Sequence, residues 1–131
     1  MTAARVPAGR VRWAWSPADN AGAVEADVER VLDRIPLSPG QLTLLRALYE
    51  AGEDGLWMSE LAAATARSPR QVVGLLGGLG NRVMRTPGYP MEHHRGIGLL
   101  IDWRCVGREW HYRLLPMTRR VLERLGLVEI T

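Results

Sequence analysis

The stretch from Trp57 to Pro90, WMSELAAATARSPRQVVGLLGGLGNRVMRTPGYP, decides the fold. It predicts a short helix, a tight turn, a longer helix and a hard stop. Ser59 is placed to cap the first helix, with Glu60, Leu61 and Ala62 to Ala64 as good helix formers behind it. Thr65 to Arg67 make the turn. Ser68 caps the second helix, Pro69 suits its first position, and Gln71 completes an S-x-x-Q capping box that satisfies orphaned N–H groups. Val72, Leu75, Leu76, Leu79 and Val83 recur at spacings of three and four, which predicts one buried stripe. Arg70, Gln71, Gly74, Gly78, Asn81, Arg82 and Arg85 are left for the other side. A short helix, a turn and a second helix with a basic, amide-bearing outer face is the layout of a helix-turn-helix.

Upstream of this unit, Ser38, Pro39 and Gln41 repeat the capping box and open a helix with Leu42, Leu45, Leu48 and Tyr49 on its core face. Gly52 closes it, and Leu56-Trp57 forms a short strand. Before that, Ser16-Pro17 starts a helix to about Arg34, ended by Pro36. Val24, Val28, Val31, Leu32 and Ile35 face inward there, and Glu25, Asp27, Glu29 and Asp33 face out. Such an acidic face is repelled by a polyanion, so it belongs against its own domain or a second copy. Residues 1–15 are expected to be a flexible basic arm carrying Arg5, Arg10 and Arg12. Val11, Trp13 and Trp15 alternate within it and favour packing on the body.

Downstream, Thr86-Pro87-Gly88-Tyr89-Pro90 forces a change of direction. The period then changes to two over Leu99–Cys105 and Glu109–Leu114, with Val106-Gly107-Arg108 as the turn between two strands. Arg104 and Arg108 are expected near the tip of this hairpin. Pro116 breaks it, and Met117 to Leu125 reads as a closing helix with Arg119, Arg120 and Arg124. The expected fold class is mainly α with a small β-hairpin, residues 16–131 forming a single domain.

The segments LSPGQLTLLRALYEAG, MSELAAATARSPRQVVGLLGGL and GLLIDWRCVGREWHYRL, over about residues 38–115, resemble winged helix-turn-helix regulators of the MarR-like broad group. They are also similar to small actinobacterial winged-helix proteins of unassigned role. The resemblance implies a winged helix-turn-helix with N- and C-terminal flanking helices, and it carries fold further than function. The chain departs from the group in its short terminal helices and in the glycine content of its central helix.

The net charge of +3 is segregated along the chain. Residues 16–60 carry nine acids against three arginines, and residues 61–131 carry eleven arginines against five acids. Leu61 to Met91 holds no acid, which is the charge placement a polyanion requires. All seventeen cations are arginine, so general arginine enrichment is the competing explanation. Cys105 is alone, which fits a reducing cytoplasm, and no apolar run reaches the ~20 residues of a membrane span.

These features predict a sequence-specific double-stranded DNA-binding protein, a transcriptional regulator rather than an enzyme. A protein-binding winged helix is the alternative. The candidate DNA-contacting residues are Arg67, Ser68, Arg70, Gln71, Gly74, Asn81, Arg82, Arg85, Arg95, Arg104 and Arg108. Arginine at the start of the central helix suits guanine and glutamine suits adenine, whereas Arg82 and Arg85 fall nearer phosphate. Gly74, Gly77, Gly78 and Gly80 cost that helix about 1 kcal/mol each relative to alanine. Packing of the N-terminal helix of the same chain on Gly74, Gly78 and Asn81 is the favoured reason, ahead of a phosphate backbone. His93, His94, His111 and Cys105 lack metal-ligand spacing and are expected to be surface residues, with no metal or cofactor. A homodimer through the terminal helices is expected.

Overall fold

Two capping boxes set the helical frame. In the computed structural model, which describes residues 25–87 and 96–129, Ser38 Oγ accepts from Gln41 N at 3.2 Å while Gln41 Oε1 accepts from Ser38 N. Ser68 and Gln71 repeat the arrangement at the second expected position. The basic arm, the start of the first expected helix and the bend holding His93, His94 and Arg95 lie outside the described residues.

The described elements are helix α1 (Glu25–Asp33), helix α2 (Pro39–Ala51), strand β1 (Leu56–Trp57), helix α3 (Met58–Ala64), helix α4 (Pro69–Met84), strand β2 (Ile101–Val106), strand β3 (Glu109–Leu114) and helix α5 (Pro116–Arg124). The protein is thus mainly helical, with one small antiparallel sheet of order β1-β3-β2. Leu56 pairs with Tyr112, and Ile101 with Leu114. Gly107, at φ 63°, is the first of the two residues joining β2 to β3, the place a tight hairpin gives to glycine.

One sheet face and the five described helices share a core. Leu44, Leu45 and Leu48 of α2, Leu61 of α3, and Val72, Leu79 and Val83 of α4 pack with Ile101 and Leu114. Val28, Val31 and Leu32 of α1 join Val121 and Leu122 of α5 in the same cluster. Leu44 replaces the expected Leu42, and Leu75 and Leu76 are only half-buried at the margins of the α4 stripe. Ile35, expected inside, is 49% exposed just beyond α1.

Ser59 does not cap α3. Its hydroxyl donates instead to Glu109 Oε1 at 2.7 Å, and the cap contact comes from Glu60, whose carboxylate accepts from Trp57 N at 2.9 Å. At the other end of α3 the chain makes a Schellman turn: Arg67 N donates to Ala62 O at 2.9 Å and Ala66 N to Ala63 O at 3.1 Å. Ala66 supplies the left-handed residue, φ 53°, where glycine is usual. An L-residue costs about 1–2 kcal/mol there, partly offset by glycine's greater unfolded-state entropy. Ala66→Gly should therefore raise stability by about 1 kcal/mol in a denaturant melt, and a loss of stability would contradict this turn.

The acidic face of α1 meets its own domain. Glu25 pairs with Arg120 and Arg124 of α5, and Glu29 with Arg124. Asp27 turns inward and pairs with Arg30. Hydrogen bonds from Arg120 and Arg124 hold the Glu25 carboxyl below its usual pKa. A depressed carboxyl stabilises the fold above the unfolded-state pKa and loses that contribution as pH falls through the folded value. The melting temperature of the parent should therefore decline more steeply on the acid side than that of Glu25→Gln. The difference stays small because the pair is solvated.

Candidate nucleic-acid interface

The Schellman turn and the second capping box fix how α4 leaves α3, and so which side of α4 faces outward. Val72, Leu79 and Val83 anchor the inner side. The outer side presents Arg70, Val73, Gly74, Gly77, Asn81, Met84 and Arg85, all exposed. It carries no carboxylate, and Arg70, Asn81 and Arg85 have no partner among the described residues. Every described residue from Leu61 to Pro87 is likewise free of acid.

The expected contact residues divide into an outward and an inward set. Arg70, Gly74, Asn81 and Arg85 are outward, and Arg108 is exposed in the hairpin turn. Ser68 and Gln71 are exposed but committed to the cap, with the Gln71 carbonyl oxygen held at 2.9 Å by Ser68 N. Arg67 is half-buried over the turn and donates to Thr65 O at 3.0 Å. Arg95 lies outside the described residues.

Arg82 turns away from the outer side. Its Nε donates to Val31 O at 2.6 Å and Nη2 to Leu32 O at 3.2 Å, so it caps the C-terminal end of α1. Burial pulls its pKa below the usual guanidinium value, with the Arg34 charge adding to the effect. The reason is visible in the spacing: Arg82 follows Leu75 by seven residues and Leu79 by three, placing it on the flank of the buried stripe.

Arg104 also turns inward. It is 4% exposed and donates to His111 Nδ1 from Nε at 3.1 Å, with Nη2 at 2.8 Å from the same nitrogen. The His111 ring in turn stacks on Trp57, centroids 4.5 Å apart. On the same sheet face Arg113 Nη2 meets the fully buried Asp102 carboxylate at 3.0 Å. His111 is therefore a buried member of a polar layer, not the surface residue expected. Desolvation pulls the Arg104 pKa down.

The glycines of α4 also divide. A Cβ on Gly78 would meet Gln41 Nε2 at 3.2 Å and one on Gly80 would meet Ile97 N at 3.5 Å, so these two admit neighbours. A Cβ on Gly74 or Gly77 would meet nothing within 4 Å among the described residues. Among the described residues the chain packs on the groove of Gly74, Gly78 and Asn81 only at Gly78, through Gln41 of α2 rather than the N-terminal helix, and nothing packs on Gly74.

The residues missed in the sequence are apolar and exposed: Val73 (57%) and Met84 on α4, and Trp110 (44%) on β3. Val73 was recoverable, since it stands three residues after Arg70 and four before Gly77 on the same side of a helix. Trp110 shares a strand face with Tyr112 and Leu114, as the alternation predicts, but it lies opposite Cys105 near the hairpin end of the strand and is exposed there. Among the described residues no group of three or more His, Cys, Asp or Glu could hold a metal ion, and no helix is long and apolar enough to cross a membrane. No protein-family model, curated protein or solved structure matches the chain. The functional reading therefore rests on the residues themselves.

Proposed function

We propose that the protein is a winged helix-turn-helix that binds double-stranded DNA and acts as a transcriptional regulator in the cytoplasm. In this reading α3 and α4 form the helix-turn-helix, α4 enters the major groove, and the β2–β3 hairpin is the wing. The observation that carries it is the outer side of α4: acid-free, with the Arg70 and Arg85 side chains exposed and without a partner among the described residues. A polyanion is the partner such a surface complements. The order helix, strand, helix, helix, hairpin, with β1 joined to β3, supports the same architecture. The reading includes no catalytic step.

Arg108 is the cation that the hairpin holds out, and it is the test residue. Each phosphate neutralised contributes about −0.9 to the slope of log affinity against log salt. Arg108→Ala should weaken binding to all duplexes alike and flatten that slope by about one unit, measured by fluorescence anisotropy at several salt concentrations. A parent protein with no affinity for duplex DNA and no retention on heparin would remove the reading.

Exposed Val73, Met84 and Trp110 favour a second reading, a winged helix that docks on protein. Salt-insensitive capture of a protein partner without DNA affinity would select it. Pairing of two copies through the terminal helices is a further part of the proposal, since two half-sites raise affinity. Glu25 and Glu29 of α1 are spent on Arg120 and Arg124 of α5, so that contact falls to the remaining surfaces of these helices, with exposed Ile35 just beyond α1. Light scattering that gives a strict monomer at high concentration without DNA would dismiss it.

A further inference from the structure

We infer that Val73 reads the C5-methyl group of a thymine, one to two base steps from a guanine met by Arg70. This rests on the DNA-binding reading and names what its central helix selects. Val73 is 57% exposed on a helix whose partners inside the fold are Val72, Leu79 and Val83. Its neighbours Gly74 and Gly77 leave open space among the described residues, none of which comes within 4 Å of an added Cβ. The isopropyl group therefore stands above a low surface that a groove wall can approach. Charge selects the occupant: Arg70 is exposed about one turn before Val73, Arg85 is exposed on the same side at the far end of the helix, and that side carries no carboxylate among the described residues.

The major groove offers one apolar feature, the thymine methyl, and a valine side chain has no hydrogen bond to give any other base edge. Arg70, in the first turn of α4, suits the paired acceptors of guanine. Three residues of helix rise about 4.5 Å, against about 3.4 Å per base step, which sets the expected separation. Gln71, the expected adenine reader, has its carbonyl oxygen tied to Ser68 N, so its amide is folded back on the cap. Arg70 and Val73 are left as the two readers near the start of the helix.

The experiment selects preferred sites from a random duplex pool, then replaces each thymine in turn with deoxyuridine, which removes only the methyl. Affinities of the parent and Val73→Ala are measured by fluorescence anisotropy, and melting curves check that Val73→Ala stays folded. One deoxyuridine should weaken the parent roughly four-fold, the equivalent of about 0.8 kcal/mol for one buried methyl. Val73→Ala should bind the thymine and deoxyuridine duplexes equally. Equal losses in both proteins, no loss in either, or selected sites without a shared thymine would overturn the inference while leaving DNA binding standing. A parent that binds no duplex would overturn the DNA reading itself.

Discussion

Leu79→Asp should leave the protein without a cooperative melting transition. Leu79 is fully buried in the middle of α4, within the cluster that joins the helices to the sheet. Truncating such a leucine to alanine costs about 2–5 kcal/mol, and an unpaired carboxylate in the same place adds its own desolvation penalty. The sum approaches the whole stability of an ordinary domain, about 5–15 kcal/mol. Leu76→Asp is the informative contrast. Periodicity alone puts both leucines in one stripe, but Leu76 is half-buried at its margin, where a carboxylate can reach water. Leu76→Asp should therefore melt cooperatively at a lowered temperature. Thermal melts followed by circular dichroism decide it: a normal transition for Leu79→Asp, or a worse outcome for Leu76→Asp, would show that the inner face of α4 is misassigned.

Features set by neighbouring residues were legible in the sequence. Both capping boxes, the start of α4, the Gly52 stop and the hairpin turn at Gly107 follow from contacts within four residues, and all appear where the spacing puts them. Ser59 failed because two candidate caps compete there, and Glu60 reaching back to Trp57 N starts the helix two residues earlier. The destinations of long polar side chains were not legible. Arg104, Arg82 and Arg70 look alike in a sequence, yet one bonds His111 in the sheet, one caps a helix 51 residues earlier in the chain, and one is exposed. A guanidinium on a long stem goes to whatever acceptors the tertiary fold brings near, and those acceptors, backbone carbonyls for Arg82 and a ring nitrogen for Arg104, are set by distant pairing that no local pattern records. The expected basic face was accordingly too broad. Arg70 and Arg85 at its two ends remained outward, and Arg82 between them was drawn into the body.

Arg82→Ala should cost about 2–3 kcal/mol of stability and leave the salt dependence of DNA binding unchanged. The guanidinium donates to Val31 O and Leu32 O, two of the carbonyls that the end of α1 leaves without helical partners. Its cationic charge also sits at the negative end of that helix, which favours it further. Truncation exposes or strands those acceptors and loosens α1 from α4. Arg82→Lys should recover only part of the loss, because one ammonium on a flexible stem does not reproduce the fixed fork of donors. Arg82 on a DNA-facing surface would behave in the opposite way: the melting temperature would hold, and the salt slope would fall by about 0.9 for the lost phosphate contact. Denaturant melts and anisotropy titrations on the same variants separate the two. An unchanged midpoint with a flattened slope would return Arg82 to the interface, whereas a lowered midpoint with the parent's slope places its work between α4 and α1.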